Sequence, residues 1–332
     1  MHATTTRLIL TVLCLGLPMG LAFHGRTRAE ENEPDVIVIA AAENPRPEVL
    51  PTLRVVQPTT YGEPYPTMVS ARFPNVPDFQ CDSWCYESEL DFVDARPLDG
   101  GCVEMRHRVR SRPGELVITV VTPEPGAIEF VARMAPDTEG YPQAQVPEHT
   151  AGLNLCWQLR HCPGFKSKPD PYPEFIKRCF IFTEKGRTFL LDTDRRKIPC
   201  RAPDDERNNP PWVQSYCGVW QPVPKAGPDS WADYSTDRYI TTVIGCVSRD
   251  GKYLAAVAND SASSMHQAWH DCMHNNPQWL PADAPTAERR WRLKVYAMAN
   301  DPDALLTRVG NDFPNAKHLG SIESVPAERE AE

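Results

Sequence analysis

Hydrophobic and polar residues alternate along much of the chain between positions 115 and 300. The alternation is clearest in 116–122 (LVITVVT), 127–134 (AIEFVARM) and 289–299 (RRWRLKVYAMA). A period of two is typical of β-strands that place one face against a core. Further strand-like runs lie at 153–159, 178–193, 215–223 and 238–260. We therefore predict a series of antiparallel strands.

Turn residues separate these runs. Pro-Glu-Pro-Gly occupies 123–126, between the first two strands, and Asp250-Gly251 lies between two β-branched runs within 238–260. Asp-Gly suits a two-residue type I′ turn, so this segment is predicted to form a hairpin.

One helix is predicted near the C-terminus, over residues 300–313. Asn300 or Asp301 is suited to the N-cap position, and Pro302 would occupy the first helical position. Leucine and valine residues that follow share one face of the helix.

A second helix is predicted within the segment SSMHQAWHDCMHNNPQW, residues 263–279. Ser264 followed by Gln267 resembles a capping box, and the Asn-Asn-Pro sequence at 275–277 would end the helix. Many strands and at most two short helices predict an all-β fold, a large antiparallel β-sandwich.

The chain divides by composition. In residues 1–22, Arg7 precedes an apolar run that ends in small residues, as in an export signal peptide. Residues 23–78 are rich in proline and acidic side chains and predict a linker, in which short apolar runs such as DVIVIAAA (35–42) could add an edge strand. Residues 315–332 predict a flexible acidic tail. No linker-like break interrupts 79–314, so the sandwich is predicted as one domain.

The net charge of the protein excludes some classes of binding partner. The formal net charge is −9, and removal of the signal peptide would make the protein more acidic. The densest basic run, 106–112, alternates within a strand-like segment and is typical of a solvated face. We therefore expect neither nucleic acid nor, after signal cleavage, membrane insertion, and we predict a secreted or periplasmic protein.

Cysteine content fits an oxidising compartment. Ten of the eleven cysteines remain after Cys14 is removed with the signal. An even number in an exported chain indicates disulfides. Cys81 with Cys85, and Cys156 with Cys162, are close enough to close local loops. Other cysteines fall inside strand-like runs, where buried thiols are an equally good interpretation: Cys179, Cys217 and Cys246.

The histidine-rich segment is the strongest candidate for chemistry. His266, His270 and His274 recur every four residues, with Asp271 among them. On a helix, His266 and His270 would share a face and bind a divalent metal. However, Gln267 stands where a zinc protease needs a glutamate base, and His274 would lie about 12 Å along the helix from His266.

Three interpretations of this segment therefore stay open. In a loop, the histidines could still converge on a metal. They could instead supply acid–base catalysis or hydrogen bonds in a ligand cleft. They could also be ordinary polar residues beside the core.

Aromatic residues cluster in the same part of the chain. The predicted ligand-binding residues are Trp212, Tyr216, Trp220, Trp231 and Trp269. Asparagine, aspartate and glutamine residues are interleaved with them. Aromatic faces stack on the flat CH-rich faces of sugars, and the polar groups bond sugar hydroxyls. This pattern predicts carbohydrate binding.

A family resemblance supports the fold class. The hairpin GCVSRDGKYLAAVAND, the strand RRWRLKVYAMA and the helix DPDALLTRVGNDFP occur in that order. With the earlier PLDGGCVEMRHRV and TPEPGAIEFVARM segments, the chain resembles secreted proteins of planctomycete-type bacteria. Those proteins are similar to the galactose-mutarotase-like supersandwich, so the resemblance implies a large sandwich of the kind found in sugar-handling proteins. No stretch matches the catalytic motif of the mutarotases, and no site residue is transferred from them.

The leading hypothesis is an exported carbohydrate-binding or carbohydrate-processing sandwich, in which His266, His270, His274 and Asp271 supply hydrogen bonds or proton transfer. One alternative is a metal-dependent enzyme built on the same histidines. Another is a non-catalytic envelope protein that binds a protein partner. The residues do not decide whether the chain is an enzyme.

Overall fold

The structure of the protein is a computed structural model. It describes residues 36–58, 67–77, 79–86, 90–110, 112–141, 152–153, 156–160, 176–194, 214–223, 233–260, 262–267, 273–277, 280–281 and 290–314. The predicted signal peptide and acidic tail lie outside these residues. No helix among the described residues is long and apolar enough to cross a membrane.

Two nine-stranded sheets make up most of the fold. With strands numbered in chain order, the first sheet runs, edge to edge, β1 (Val36–Ala41), β2 (Thr52–Pro58), β3 (Met68–Arg72), β4 (Gln80–Tyr86), β10 (Cys156–Arg160), β18 (Met273–Pro277), β17 (Ala262–Gln267), β13 (Gln214–Tyr216) and β14 (Asp233–Tyr234). Its described pairings are antiparallel except for the last, between β13 and β14.

The second sheet is antiparallel throughout its described pairings. It runs β12 (Gly186–Phe189), β11 (Cys179–Thr183), β15 (Val243–Val247), β16 (Tyr253–Asn259), β20 (Arg290–Ala299), β8 (Ala127–Pro136), β7 (Glu115–Glu124), β6 (Val103–Val109) and β5 (Leu90–Pro97). A small third sheet pairs β9 (Gly152–Leu153) with β19 (Leu280–Pro281). Short 3₁₀ turns occupy Asp99–Gly101 and Leu190–Asp192.

The core lies between the two large sheets, so the predicted antiparallel β-sandwich is confirmed. Alternate residues of each strand supply it, as the period-two pattern requires. Leu53 and Val69 of the first sheet and Val117 and Val257 of the second belong to one buried cluster, and each is 1% exposed or less.

The helix α1 (Pro302–Asp312) confirms the predicted C-terminal helix. Asp301 is the N-cap, and its side chain accepts hydrogen bonds from the backbone N–H groups of Asp303 and Ala304. Leu305 and Val309 face a second apolar cluster on the outer face of the second sheet. The helix therefore covers that face.

A buried asparagine joins the two sheets. The Asn275 amide of β18 donates to the carbonyls of Thr242 (2.7 Å) and Val257 (3.0 Å). Its oxygen accepts from the Asn259 amide at 2.6 Å. Since Asn275 is fully buried, these bonds replace the water that its amide loses on folding.

Gly245 on β15 leaves room for an aromatic ring. It pairs with Phe180 of β11 across the ladder. A Cβ atom on Gly245 would lie 2.5 Å from the Phe180 ring and 2.8 Å from the Ala255 carbonyl oxygen. The second sheet therefore needs glycine here for close packing.

The structure corrects the predicted linker. Within residues 23–78, three strands, β1, β2 and β3, pair into the first sheet, and Leu53, Val55 and Val69 are core residues. The proline and acidic content of the segment favoured a linker, but its apolar run at 35–42 contains β1, which lies at the edge of the first sheet as that run indicated. The described part of this segment therefore belongs to the sandwich.

The structure also corrects two local predictions. The helix predicted from residue 263 is absent, and the described residues there form the antiparallel strands β17 and β18. The hairpin between β15 and β16 is confirmed, but its turn is longer than type I′. Ser248 and Tyr253 are hydrogen-bonded across it, and Gly251 has a φ of 76°.

Candidate functional site

Two of the three predicted histidines, His266 on β17 and His274 on β18, lie on a strand pair, in which alternate side chains point to opposite faces. Met265 and Met273 point into the core between the sheets. His266 and His274 take the other face, where they are direct cross-strand partners. Their rings meet edge to face with centroids 6.3 Å apart.

His266 is held by two serines. The Ser215 hydroxyl lies 2.5 Å from Nδ1, and the Ser264 hydroxyl lies 2.6 Å from Nε2. Ser215 is the cross-strand partner of His266 on β13, and Ser264 precedes it by two residues on β17. The neutral imidazole has one donor and one acceptor nitrogen, so each serine satisfies one of them.

Burial sets the protonation state of this imidazole. His266 is 3% exposed, and the cost of burying a charge lowers its pKa to about 4. The ring is therefore neutral at pH 7. It supplies directed hydrogen bonds without a net charge.

These side chains form a continuous patch on the outer face of the first sheet. We call it the histidine face, and it comprises Ser215, Ser264, His266, His274 and Asn276. Ser264 is the partly exposed member, and the other four are buried. The backbone register carries the row of His266 and His274 onward to Gln158 on β10 and Trp84 on β4.

Trp220 follows Ser215 by five residues, just beyond the end of β13. It is 36% exposed, and its ring meets Tyr239 edge to face at 5.3 Å. A Cβ atom on Gly218 would come within 2.4 Å of the indole, so glycine is needed for the ring to lie there. Tyr239 in turn donates from its hydroxyl to the carbonyl of Ala262, at the start of β17 (3.4 Å).

Hydrogen bonds fix the segment beneath the Trp220 ring. The Gly218 carbonyl accepts two bonds from the Arg238 guanidinium, at 2.6 and 3.1 Å. The Gly218 N–H donates to the Gln221 side chain at 2.9 Å. The indole is therefore a positioned, partly exposed aromatic surface.

Of the predicted binding residues other than Trp220, the structure describes Tyr216 but not the tryptophans. Tyr216 is fully buried and its hydroxyl lies 2.9 Å from the Thr193 hydroxyl. Its ring therefore packs in the core instead of taking the stacking role that the sequence suggested. The remaining aromatic and acidic predictions, with one histidine, lie outside the described residues: Trp212, Trp231, Trp269, His270 and Asp271.

The metal interpretation stays a prediction. Within the described part of the chain, no group of three or more histidine, cysteine, aspartate or glutamate residues is placed to hold a metal ion. Both ring nitrogens of His266 already bond to Ser215 and Ser264, so a metal at His266 would have to displace one serine. His274 meets His266 edge to face as a cross-strand neighbour, whereas the predicted helix would have separated them by about 12 Å.

Sequence reasoning missed the serines and the asparagine of the histidine face. Ser264 and Asn276 each sit two residues from a histidine of the same strand, so period-two reading of this segment would have grouped them. Ser215 lies about 50 residues away in sequence, and only the β13–β17 pairing brings it to His266.

Comparisons with known proteins do not show a family for this chain. No protein-family profile matches the chain, and no curated protein matches it. The solved structure of the α-1,4-glucan lyase of Gracilariopsis lemaneiformis, a covalent intermediate complex with 5-fluoro-idosyl fluoride, is similar with a TM-score of 0.24 and 8% identity. That match covers 79% of this chain and 28% of the lyase chain.

The lyase named here is a carbohydrate-processing enzyme, but a likeness at this level carries no argument about substrate or activity. The resemblance to the galactose-mutarotase-like supersandwich also stays a prediction. The function proposed below rests on the residues of this chain.

Proposed function

We propose that this chain is an exported sandwich protein that binds a neutral carbohydrate at Trp220 and the histidine face. The observation that carries the proposal is the fixed, partly exposed Trp220 ring, which Tyr239 connects to the start of β17. Sugar recognition needs an aromatic surface for the CH face of the ring beside directed hydrogen-bonding groups.

The chemistry of the histidine face favours an uncharged ligand. Its members are hydroxyl, imidazole and amide groups, and burial keeps His266 neutral at pH 7. An anionic ligand would be expected to need lysine, arginine or a backbone anion site. Ser264, the partly exposed member, is positioned to offer its hydroxyl to a ligand while it remains bonded to His266.

Export is supported by the sequence alone. A signal peptide over residues 1–22 would direct the domain to the periplasm or out of the cell, where polysaccharides are encountered. Binding is the function proposed. Catalysis is not, because the low pKa of His266 makes it a weak base near neutral pH.

The test is polysaccharide binding by the Trp220→Ala variant. The wild-type chain would be run in native affinity gels that contain soluble neutral glucan, xylan, mannan or galactan. For a polysaccharide that retards the wild-type protein, Trp220→Ala should weaken Kd about tenfold or more, since loss of stacking costs on the order of 1.4 kcal/mol. Trp220→Phe should retain part of the affinity.

Leu191→Ala is the matched control, because Leu191 is a similarly exposed large apolar residue at 44% in the 3₁₀ turn that follows β12. It should bind as the wild type does. Equal binding by Trp220→Ala, or no retardation in any of the four gels, would refute the proposed site.

A further inference from the structure

Two cysteines face each other in the second sheet. Cys179 on β11 and Cys246 on β15 are direct partners in the antiparallel register. Both belong to the core between the sheets, where they are 0% and 1% exposed. Directly opposed residues point to the same face, so the two sulfur atoms share one buried environment.

Cys179 and Cys246 occupy a position of the β11–β15 pairing at which opposed Cα atoms lie close together. The backbone N–H of Val247 donates to the carbonyl of Arg178 at 2.9 Å, so Arg178 and Val247 form a hydrogen-bonded pair. Since hydrogen-bonded and non-hydrogen-bonded pairs alternate, Cys179 and Cys246 form a non-hydrogen-bonded pair. Cα atoms of such pairs are about 4.5 Å apart, which lies within the range that disulfides span.

We propose that Cys179 and Cys246 form a cross-strand disulfide in the mature protein. The structure contains no bond between their sulfur atoms. The thiolate of one cysteine attacks the disulfide of a thiol–disulfide oxidoreductase and forms a mixed disulfide. The second thiolate then attacks that intermediate and releases the oxidoreductase as a dithiol. The two cysteines lose two electrons and two protons in total, and the oxidant gains them.

Burial dictates when this reaction occurs. Neither sulfur is accessible in the folded sandwich, so exchange must take place before β11 and β15 are covered by the first sheet. The bridge therefore requires that the chain fold in an oxidising compartment. This requirement is independent of whether the protein binds carbohydrate.

The bridge would close a long loop. The segment between Cys179 and Cys246 carries Ser215, which bonds His266, and the exposed Trp220. Closing this loop restricts the unfolded chain and so favours the folded state. The same cross-link anchors both ends of the segment to neighbouring strands of the second sheet.

Peptide mapping tests the proposal on the unmodified full chain. The protein is produced in the bacterial periplasm, denatured with iodoacetamide and no reductant, and digested with trypsin. Cleavage after arginine and lysine gives CFIFTEK (179–185) and YITTVIGCVSR (239–249), each with one cysteine. We expect one species with the summed mass of both peptides less two hydrogens, which separates on reduction.

Recovery of both peptides in the alkylated form, or of either linked to a third cysteine, would overturn the proposal. Cys246→Ser should abolish the linked species and leave 179–185 alkylated. Cys102→Ser is the control, because Cys102 is a half-buried thiol beside Thr122, and it should retain the link. If Cys246→Ser fails to fold, the wild-type map still decides.

Discussion

Buried polar side chains on the outer faces of the two sheets are stabilised by different kinds of partner. On the second sheet, Lys294 is almost fully buried, and its ammonium donates to Glu124 and to Asp312 of α1, both at 2.8 Å. On the first sheet, burial keeps His266 uncharged at pH 7, and two serines satisfy its ring nitrogens. Charge holds the helix to one face, whereas hydrogen bonds between neutral groups line the other.

This difference separates a structural face from a candidate binding face. A buried charge is tolerated only with a partner, so the ion pairs of the second sheet commit their groups to each other. Hydroxyl and imidazole groups have several donor and acceptor positions, so they can satisfy one another and still bond a ligand. The same distinction predicts how each face responds to mutation.

The largest effect is expected from removing the charge on the second sheet. Lys294→Ala leaves the Glu124 and Asp312 carboxylates with only the more distant Arg308 guanidinium, at 3.9 and 4.0 Å, and removes one of the contacts between β20 and α1. Because those carboxylates are partly solvated, at 30% and 19% exposure, the free energy of unfolding should fall by about 3 kcal/mol. Urea denaturation followed by circular dichroism measures it.

Lys252→Ala provides the matched comparison. The Lys252 side chain is 72% exposed, and its ion pair with Asp250 spans 3.4 Å. Its removal should change stability by less than about 0.5 kcal/mol. If the two lysine variants were equally stable, the outer face of the second sheet would not depend on the buried charge.

The buried, uncharged His266 of the first sheet should make the free energy of unfolding depend on pH. The folded-state pKa of His266 is about 4, below the unfolded value of 6.5, so the unfolded chain binds more protons between these values. Stability is therefore full above pH 6.5 and is lost as pH falls toward 4. Each such histidine contributes about 2 to 3 kcal/mol to that loss.

His266→Gln should reduce the loss of stability between pH 7 and pH 4.5, as measured by urea midpoints. His107, on the core face of the second sheet, provides the comparison. Burial lowers its pKa to about 4 as well, but its ring nitrogens have no hydrogen-bond partner among the described residues. An unchanged pH dependence in His266→Gln would contradict the assignment of a neutral, buried imidazole.

The smallest effect is expected at the start of α1. Asp301→Ala removes the side chain that accepts from Asp303 and Ala304, at a cost of about 1 kcal/mol. Asp303→Ala, in the exposed first turn, removes only a favourable interaction with the helix dipole and should cost a few tenths of a kcal/mol. Thermal unfolding would rank the two variants, and a reversed order would show that the cap does not hold the helix to the second sheet.

Several elements of the fold were predictable because their signals are local. Strands β7, β8 and β20, of ten residues each, contain stretches in which apolar and polar residues alternate, and the N-cap aspartate of α1 is followed by proline. The apolar run of β1 indicated an edge strand within the predicted linker, but β2 and β3 were not predicted, because they are short and lie in a segment rich in proline and acidic residues. Their burial depends on the sheet that receives them.

The candidate site was predictable only in part. The histidines and Trp220 stood out by composition, but their four-residue spacing indicated a helix, and the structure places His266 and His274 opposite each other on two strands. Ser215 gave no signal of its own. Its role depends on a strand pairing between distant segments, which no local pattern encodes.

The sequence by itself determined the fold class and the C-terminal helix, because periodicity and capping act over a few neighbouring residues. Only the tertiary structure decided which polar groups are buried and with which partners. The pKa of His266, the pairing of Lys294 with α1, and the opposition of Cys179 and Cys246 all follow from strand register. Register is fixed by the packing of both sheets together, so these properties appear only when the whole sandwich is assembled.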